Sequence, residues 1–461
     1  MNEKAKQFFE NMKGKTVAIC GIGKNNRPVI EQFLQAGAKV RACDKRSWEQ
    51  LGNVAETLSE KGVKLCLGET YLDNLADVDL ILRTPGMKPY LPEFEAARKA
   101  GVTVTSEMEL FFDLSPAPIY AVTGSDGKTT TTTIIAGLLK AAGKTVHLGG
   151  NIGRPLLPII DEVKPDDVAV VELSSFQLTM MQKAPHVAVV TNVAPNHLDW
   201  HKDMQEYIDA KRNLVAYQGA GDRAVLNADN DVTADFAKTA TAGQVFTFSR
   251  KAPQEGAWLN DNGVLCVTAN GETTEVLSAS DILIPGVHNV ENYLAAIAAT
   301  WGEVPVETIA EYAKTFGGVP HRSELVRVRG GVKWYNDSIG SSPSRTIAGL
   351  KSFDRKVILI AGGYDKHIPY TPLGEVAKDT VKSAILVGAT AGAIETAIRA
   401  YSDLPIVTVE SMAAAVEEAD RQARDGDIVF MSPASASFDM YTNFEERGDW
   451  FKFLVMALPD A

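Results

Sequence analysis

Ile119-Tyr-Ala-Val-Thr-Gly-Ser-Asp-Gly-Lys-Thr-Thr-Thr-Thr-Thr133 is the stretch whose reading decides the fold. An apolar, β-prone run ends in a glycine turn, and a helix-prone segment, Ile134 to Ala142, follows at once. In a strand, turn and helix of this kind the loop N–H groups and the positive end of the helix dipole form a cradle for phosphate oxygens. Gly124, Ser125, Asp126, Gly127 and Thr130 would line that cradle. Lys128 would reach the terminal phosphates of a nucleotide, and the Thr129 hydroxyl would take a place on Mg²⁺. The common phosphate-loop pattern carries a further glycine five residues before Gly127, and Val122 stands there. On pattern alone, a glycine turn with a surface lysine therefore stays open beside the phosphate site.

A chain of 461 residues suggests about three domains of ~150 residues each. A hydrophobic content of 45% with 23% charged residues suits a soluble globular protein with sizeable cores. The net charge of -12 argues against a nucleic-acid partner bound through a basic surface. Cys20 and Cys66 read as strand-borne, with Cys43 and Cys266 in similar apolar runs. No CxxC pair occurs, which speaks against thiolate metal sites and a disulfide framework and fits a reducing compartment. The first residues lack the apolar core of a signal peptide, and no run approaches membrane-spanning length. The expectation is a cytoplasmic protein without membrane insertion.

Outward from the glycine loop, the chain alternates strand and helix. Lys15 to Cys20 reads as a buried strand, followed by Gly21-Ile-Gly23-Lys-Asn-Asn26, an amphipathic helix to Ala36, and a strand ending on Asp44. This is a βαβ opening with an acidic residue where a dinucleotide fold would hold ribose. Asn26 occupies the place of the third glycine, which leaves open a dinucleotide, another phosphorylated or uridine-type ligand, or a tight structural turn. Leu114-Ser-Pro-Ala-Pro118 marks a linker, so a first domain is expected over 1–115. A central domain over 116–318 repeats the rhythm. Its run Asp167 to Glu172 ends in a carboxylate, the natural magnesium partner for Thr129, with an exposed strand-end glutamate the other reading. Asn-Asp-Asn-Gly and Ala-Asn-Gly-Glu between Trp258 and Leu277 read as hairpin turns. A third α/β domain is expected over 319–461, with Tyr364-Asp-Lys366 and Ser432-Pro-Ala-Ser-Ala-Ser437 following strands.

Taken in order, further motifs carry a resemblance. They are Gly149-Gly-Asn-Ile-Gly153, Glu172-Leu-Ser-Ser-Phe-Gln177, Thr191-Asn-Val with His197, Lys211, and Pro285-Gly-x-His-Asn289. Pro320-His-Arg322, Asn336-Asp-Ser338, Gly362-Gly-x-x-Lys366 and Asn443-Phe-Glu445 complete the series. Over essentially the whole chain the sequence resembles the Mur ligases, ATP-dependent amide-forming ligases of peptidoglycan synthesis, and within them the D-glutamate-adding branch. Thr-Gly-x-x-Gly-Lys-Thr at 123–129 is that family's form of the phosphate loop, which accounts for Val122.

The resemblance implies three α/β domains: a Rossmann-like N-terminal domain, a central P-loop ATPase-type domain with a mainly parallel sheet, and a Rossmann-like C-terminal domain. It implies ATP-dependent activation of the L-alanyl carboxylate of UDP-N-acetylmuramoyl-L-alanine as an acyl phosphate, followed by attack of D-glutamate. ATP would be co-substrate with two Mg²⁺ sites, the partners small molecules only, and the protein a monomer. Lys128, Glu172, His197 and Lys211 would be catalytic, with Thr129, Glu172, His197 and a carbamylated Lys211 at the metals. Asn289, Asn292, Arg322 and Asp337 would join the loop in binding ATP. Gly21, Ile22, Gly23, Lys24, Asp44, Lys45, Arg46, Thr84, Pro85, Gly86 and Asn151 would receive the uridine nucleotide. Lys366, Ser437, Phe438 and Phe444 would hold D-glutamate. Two positions depart from the family: Ile339 stands where many relatives carry lysine, with Arg345 a substitute nearby, and Asn196 precedes His197 where an acid is common. An L-alanine-adding relative and a non-catalytic UDP-sugar-binding protein are the competing readings.

Overall fold

The computed structural model describes residues 2–196 and 200–460. The chain packs as two units, one formed by Met1–Ala279 with Glu291–Tyr312, the other by Ser280–Val290 with Ala313–Ala461.

The first unit holds two sheets. A five-stranded sheet has the spatial order Lys64–Leu67, Lys39–Asp44, Thr16–Cys20, Leu80–Arg83, Thr103–Thr105, with every pair parallel. Its central strand is buried from Val17 to Cys20, as expected where helices cover both faces of a parallel sheet. The second sheet has nine strands. Val146–Gly150, Val168–Glu172, Ile119–Thr123, Val187–Val190, Arg223–Asn227, Gln244–Ser249 and Gly256–Leu259 run parallel in that spatial order. Val264–Ala269 and Glu272–Ser278 then add antiparallel at the edge. This edge is the hairpin pair that the Asn-Gly turns led us to expect. The helix Lys128–Ala141 contains the five consecutive threonines Thr129 to Thr133, while Thr123 ends the preceding strand.

One cluster of buried side chains runs from Val17, Ile19 and Phe33 through Phe111 and Leu114 to Ile119, Ala121 and Leu157. The Pro-marked connection at 115–118 is thus flanked by continuous apolar packing. Polar ties reinforce it: the Leu156 and Leu157 amides donate to Glu107 Oε1 at 2.9 and 2.8 Å, and Gln32 Nε2 donates to the Leu157 carbonyl at 2.8 Å.

The second unit is built on a six-stranded sheet ordered Glu324–Arg329, Val332–Asn336, Ile428–Met431, Val357–Ala361, Val381–Val387, Ile406–Val409. The first two strands form an antiparallel hairpin around Gly330-Gly331, and the rest pair parallel. A helix over Val306–Ala313 precedes this sheet in the chain. Gly21, the 124–127 loop, Glu172, Asp337, Lys366 and Ser437 lie at or just beyond the carboxyl ends of parallel strands, where open α/β sheets place their ligands.

Candidate active site

In the first unit the strand Ile119–Thr123, buried at every residue, delivers the chain into the loop 124–127. Gly124 has φ +151° and a Cβ there would lie 1.8 Å from Thr191 Oγ1, so the close approach of the 191–192 segment requires glycine. That segment shapes the loop. Ser125 N donates to the Asn192 carbonyl at 2.8 Å, Asp126 N donates to Asn192 Oδ1 at 3.0 Å, and Thr191 Oγ1 donates to the Asp126 carbonyl at 2.6 Å. Gly127, at φ +78°, leads into the helix, and a Cβ there would meet Asn292 Oδ1 at 2.4 Å. Asn292, which the resemblance implies for ATP, therefore borders the loop and accepts from Thr131 Oγ1 at 3.2 Å.

Two lysine amines converge on one carbonyl. Lys128 Nζ donates to the Gly124 and Ser125 carbonyls at 3.0 and 2.8 Å, and Lys211 Nζ donates to the Gly124 carbonyl at 2.7 Å. Lys211 lies in the helix Met204–Ala216, only 1% exposed, with its ammonium 4.6 Å from the Tyr207 ring centroid. Burial, and then the Lys128 charge, push its pKa well below the ordinary lysine value. The burial that a lowered lysine pKa requires is thus present.

Glu172 ends a fully buried strand and is itself 1% exposed. Its Oε2 accepts from Thr129 Oγ1 at 2.7 Å, which brings together the two expected magnesium partners. Its Oε1 accepts from Asn151 Nδ2 at 2.8 Å. Asn151, expected beside the uridine nucleotide, is thereby fixed on the metal-partner carboxylate. The set is hard oxygen donors next to a phosphate cradle, the chemistry that Mg²⁺ takes when phosphate oxygens and water complete its shell. Among the described residues no group of three or more His, Cys, Asp or Glu is gathered as a metal site. His197 lies outside the described residues.

Sequence reasoning missed a polar cluster beside these groups. His201 Nε2 lies 2.8 Å from Ser175 Oγ, and its Nδ1 lies 3.4 Å from Glu206 Oε2. Glu206 Oε1 accepts from Tyr90 Oη at 2.7 Å. Glu206 sits on the first turn of the helix bearing Lys211, and Ser175 follows the strand bearing Glu172, so the imidazole bridges the two carriers. The signal was faint: Ser175 lies inside a quoted motif, but His201 lies four residues beyond the histidine that drew attention.

The five-stranded sheet gathers its expected residues at one edge. Ile22 N donates to Asp44 Oδ2 at 2.8 Å, and Arg46 grips the same carboxylate through Nε at 2.8 Å and Nη2 at 2.7 Å. Burial raises the Asp44 pKa, but the bonds from Arg46 and Ile22 outweigh it and hold the carboxyl at about 2. Asn26 Nδ2 donates to the Gly21 carbonyl at 2.8 Å, which gives the residue in the third-glycine position a job of its own. Thr84 packs its methyl where a Gly21 Cβ would fall, at 2.8 Å. Gly23, Lys24 and Lys45 are exposed around this turn, Pro85 is half-buried, and the Gly86 carbonyl accepts from Trp200 Nε1 at 3.1 Å.

In the second unit Asp337 is buried, accepting from Ser432 Oγ at 2.7 Å and from Ser323 N at 3.1 Å. Burial lifts its pKa to about 6 against the pull of those bonds and of Arg322 and Arg345. Arg345 thus acts electrostatically on Asp337 from a chain that carries Ile339. Asn289 is anchored on the Pro285 carbonyl at 2.6 Å. Lys366 Nζ is exposed and reaches Ser341 Oγ at 3.3 Å. Ser437 is buried, Phe438 is 65% exposed against Tyr364, and Phe444 meets the edge of His321. Arg447, unnoticed in the sequence, stitches these loops together: Nε donates to Ser338 Oγ at 3.0 Å, Nη1 to the Ala436 carbonyl at 2.9 Å, and Nη2 to the Ser338 carbonyl at 2.8 Å. Its burial lowers its pKa to about 10.

A loop of this kind, opening a helix beside a hydroxyl–carboxylate pair, marks a class of α/β proteins that work on nucleotide phosphates. The family description Mur ligase MurD-like, N-terminal domain, matches residues 15–106. Mur ligase middle domain matches 122–300, and Mur ligase, glutamate ligase domain, matches 321–435. A protein of Acetivibrio thermocellus named UDP-N-acetylmuramoylalanine–D-glutamate ligase is 54% identical, covering 99% of this chain and 100% of its own. One of the same name from Clostridium novyi is 47% identical over 99% and 100%. The solved UDP-N-acetylmuramate-alanine ligase MurC of Thermotoga maritima shares the fold at 18% identity, TM-score 0.57, over 96% of this chain and 99% of that one. The chain belongs to the Mur ligase family, with all three of its domains represented. None of the helices described is long and apolar enough to cross a membrane.

Proposed function

We propose that the protein joins D-glutamate to UDP-N-acetylmuramoyl-L-alanine, with ATP converted to ADP and phosphate. The full-length similarity to ligases of that name supports this reading. The observation that carries it is the convergence of Lys128 and Lys211 on the Gly124 carbonyl beside the Thr129–Glu172 pair. A carboxylate is a poor electrophile, and transfer of the terminal phosphoryl group of ATP to the L-alanyl carboxylate gives it a leaving group. The D-glutamate amine then adds to the acyl carbon and phosphate departs. The loop amides hold the triphosphate, and Lys128 stays near the phosphoryl group as negative charge shifts along the reaction path. Thr129 and Glu172 would hold Mg²⁺, with His197 and a carbamylated Lys211 at a second position, and the ions would supply further charge neutralisation. A neutral amine is what CO₂ attacks, and the lowered Lys211 pKa favours that form.

We assign the uridine nucleotide to Gly21–Lys24, Asp44–Arg46 and Thr84–Gly86, with Asn151. ATP is assigned also to Asn289, Asn292, Arg322 and Asp337, and D-glutamate to Lys366, Ser437, Phe438 and Phe444. Domains at 1–115, 116–318 and 319–461, a cytoplasmic location and a monomeric state complete the reading. The test is ATP-dependent phosphate release with UDP-N-acetylmuramoyl-L-alanine and a panel of single amino acids. Release with D-glutamate alone is expected; release with another amino acid overturns the substrate assignment. ATP binding without release under any condition would favour a binding protein instead.

A further inference from the structure

Three of the four cysteines stand side by side. In the five-stranded sheet the Cα partner of Cys20 is Cys43, and the Cα partner of Cys43 is Cys66. In-register partners on parallel strands point to the same face, so the three thiols form one ladder across three adjacent strands. Neighbouring strands lie about 4.8 Å apart, inside the Cα separation of about 4.4–6.8 Å that a disulfide spans. All three are free thiols; Cys20 and Cys43 are fully buried and Cys66 is partly exposed. They pack with Tyr71, Leu72 and Phe94 on one face of the sheet.

The ladder is wired to the uridine-nucleotide turn. The Cys43 carbonyl accepts from Gly21 N at 2.7 Å, and the next residue, Asp44, holds Ile22 N at 2.8 Å. Cys20 immediately precedes that turn. A shift of the Cys43 backbone therefore moves the turn directly.

We propose that Cys66 and Cys43 are a peroxide-sensitive thiol pair whose disulfide switches off uridine-nucleotide binding. The Cys66 thiol meets the oxidant, since it alone of the three is exposed: R–SH and H₂O₂ give R–SOH and H₂O. The Cys43 sulfur then attacks the Cys66 sulfur, the S–S bond forms, and hydroxide leaves with the Cys43 proton as a second water. With Cys66 partly exposed, its sulfur in the link stays within reach of attacking thiols, which reverse it by exchange. Burial and Cys43 raise the Cys66 thiol above its ordinary value although Arg41 and Lys64 pull it down. The Cys20 thiol and burial raise Cys43 further. Oxidation is accordingly slow at neutral pH and quickens as pH rises.

The link is independent of ligand assignments, whereas its effect on binding rests on the uridine reading above. Trypsin separates the three cysteines into Thr16–Lys24, Ala42–Lys45 and Leu65–Arg83. After hydrogen peroxide, the intact protein is expected to lose the mass of two hydrogen atoms, and Ala42–Lys45 to appear joined to Leu65–Arg83, faster at about pH 9 than at about pH 7. UDP affinity should fall roughly tenfold or more and return with dithiothreitol, while Cys66→Ser binds UDP normally and is indifferent to peroxide. Oxygen added to Cys66 without a crosslink, or a crosslink that leaves UDP affinity unchanged, overturns the proposal. A crosslink in a protein whose reduced form never binds UDP would instead fault the uridine assignment, and with it the control of binding.

Discussion

Lys211 Nζ donates a 2.7 Å hydrogen bond to the Gly124 carbonyl, which places an almost fully buried amine within the phosphate loop. Burying an ammonium costs several kcal/mol unless it is paired, and the neighbouring Lys128 adds repulsion. The position is therefore poised to lose its proton. Lys211→Arg keeps a cation that cannot be carbamylated, and Lys211→Ala removes the amine. Both are expected to lower phosphate release by about 100-fold or more, with ATP binding retained. Acetate or formate should restore part of the activity of the alanine variant by supplying the missing carboxylate. No recovery with either would count against the carbamate.

Glu172 accepts from Thr129 and Asn151, so its replacement by glutamine keeps the shape and one acceptor while removing the charge. The folded state should tolerate this within about 1 kcal/mol, because a buried carboxylate is exchanged for a neutral amide. Turnover should fall by roughly 100-fold or more, and excess Mg²⁺ should recover little of it. Thermal denaturation beside steady-state kinetics separates the two effects; equal loss of stability and activity would make Glu172 a structural residue.

The motifs that carried the sequence reading are local: Gly124–Thr129 is a turn and a helix start, and Glu172 is a strand end. Each is decided by neighbours in the chain, which is why strand, loop and carboxylate could be placed from sequence. The Glu324–Asn336 hairpin is only weakly written in the sequence, since its register shifts between Leu325 and Arg327 and breaks the alternation of its first strand. Ser175–His201–Glu206 left only a faint signal in the sequence, and Arg447 left none. Their partners lie 26 residues apart for His201 and Ser175, and 109 for Arg447 and Ser338, so only tertiary packing pairs them. The cysteines were legible as strand residues, but their alignment depends on strand register, which composition does not fix.

Asp44 offers a pH test on stability. Its folded pKa of about 2 lies below the ordinary 3.8, so the group stabilises the fold fully above pH 3.8 and loses that contribution as pH falls through about 2. Asp44→Asn should cost about 1–2 kcal/mol at neutral pH, and the gap should close near pH 2 in chemical denaturation. UDP affinity should fall as well, since the variant loosens both Ile22 and Arg46. A constant gap down to pH 2 would mean that the asparagine costs packing rather than charge.

Asp337 is the opposite case. Its folded pKa of about 6 lies above 3.8, so ionisation costs the fold nothing below pH 3.8, an increasing amount between 3.8 and 6, and the full amount above. The size is about 1–3 kcal/mol at neutral pH, the expense of keeping a carboxylate where burial outweighs Ser432, Ser323, Arg322 and Arg345. Asp337→Asn can accept from Ser323 through its oxygen and donate to Ser432 through its amide, so it should fold and be more stable than the parent at pH 7. That advantage should vanish near pH 4, and urea denaturation across this range reads it directly. A charge retained against such a cost argues for use in the reaction, so the same variant should raise the KM for ATP or lower turnover. A variant more stable and equally active would leave Asp337 without a part in ATP binding, and one less stable would show that its hydrogen bonds outweigh its burial.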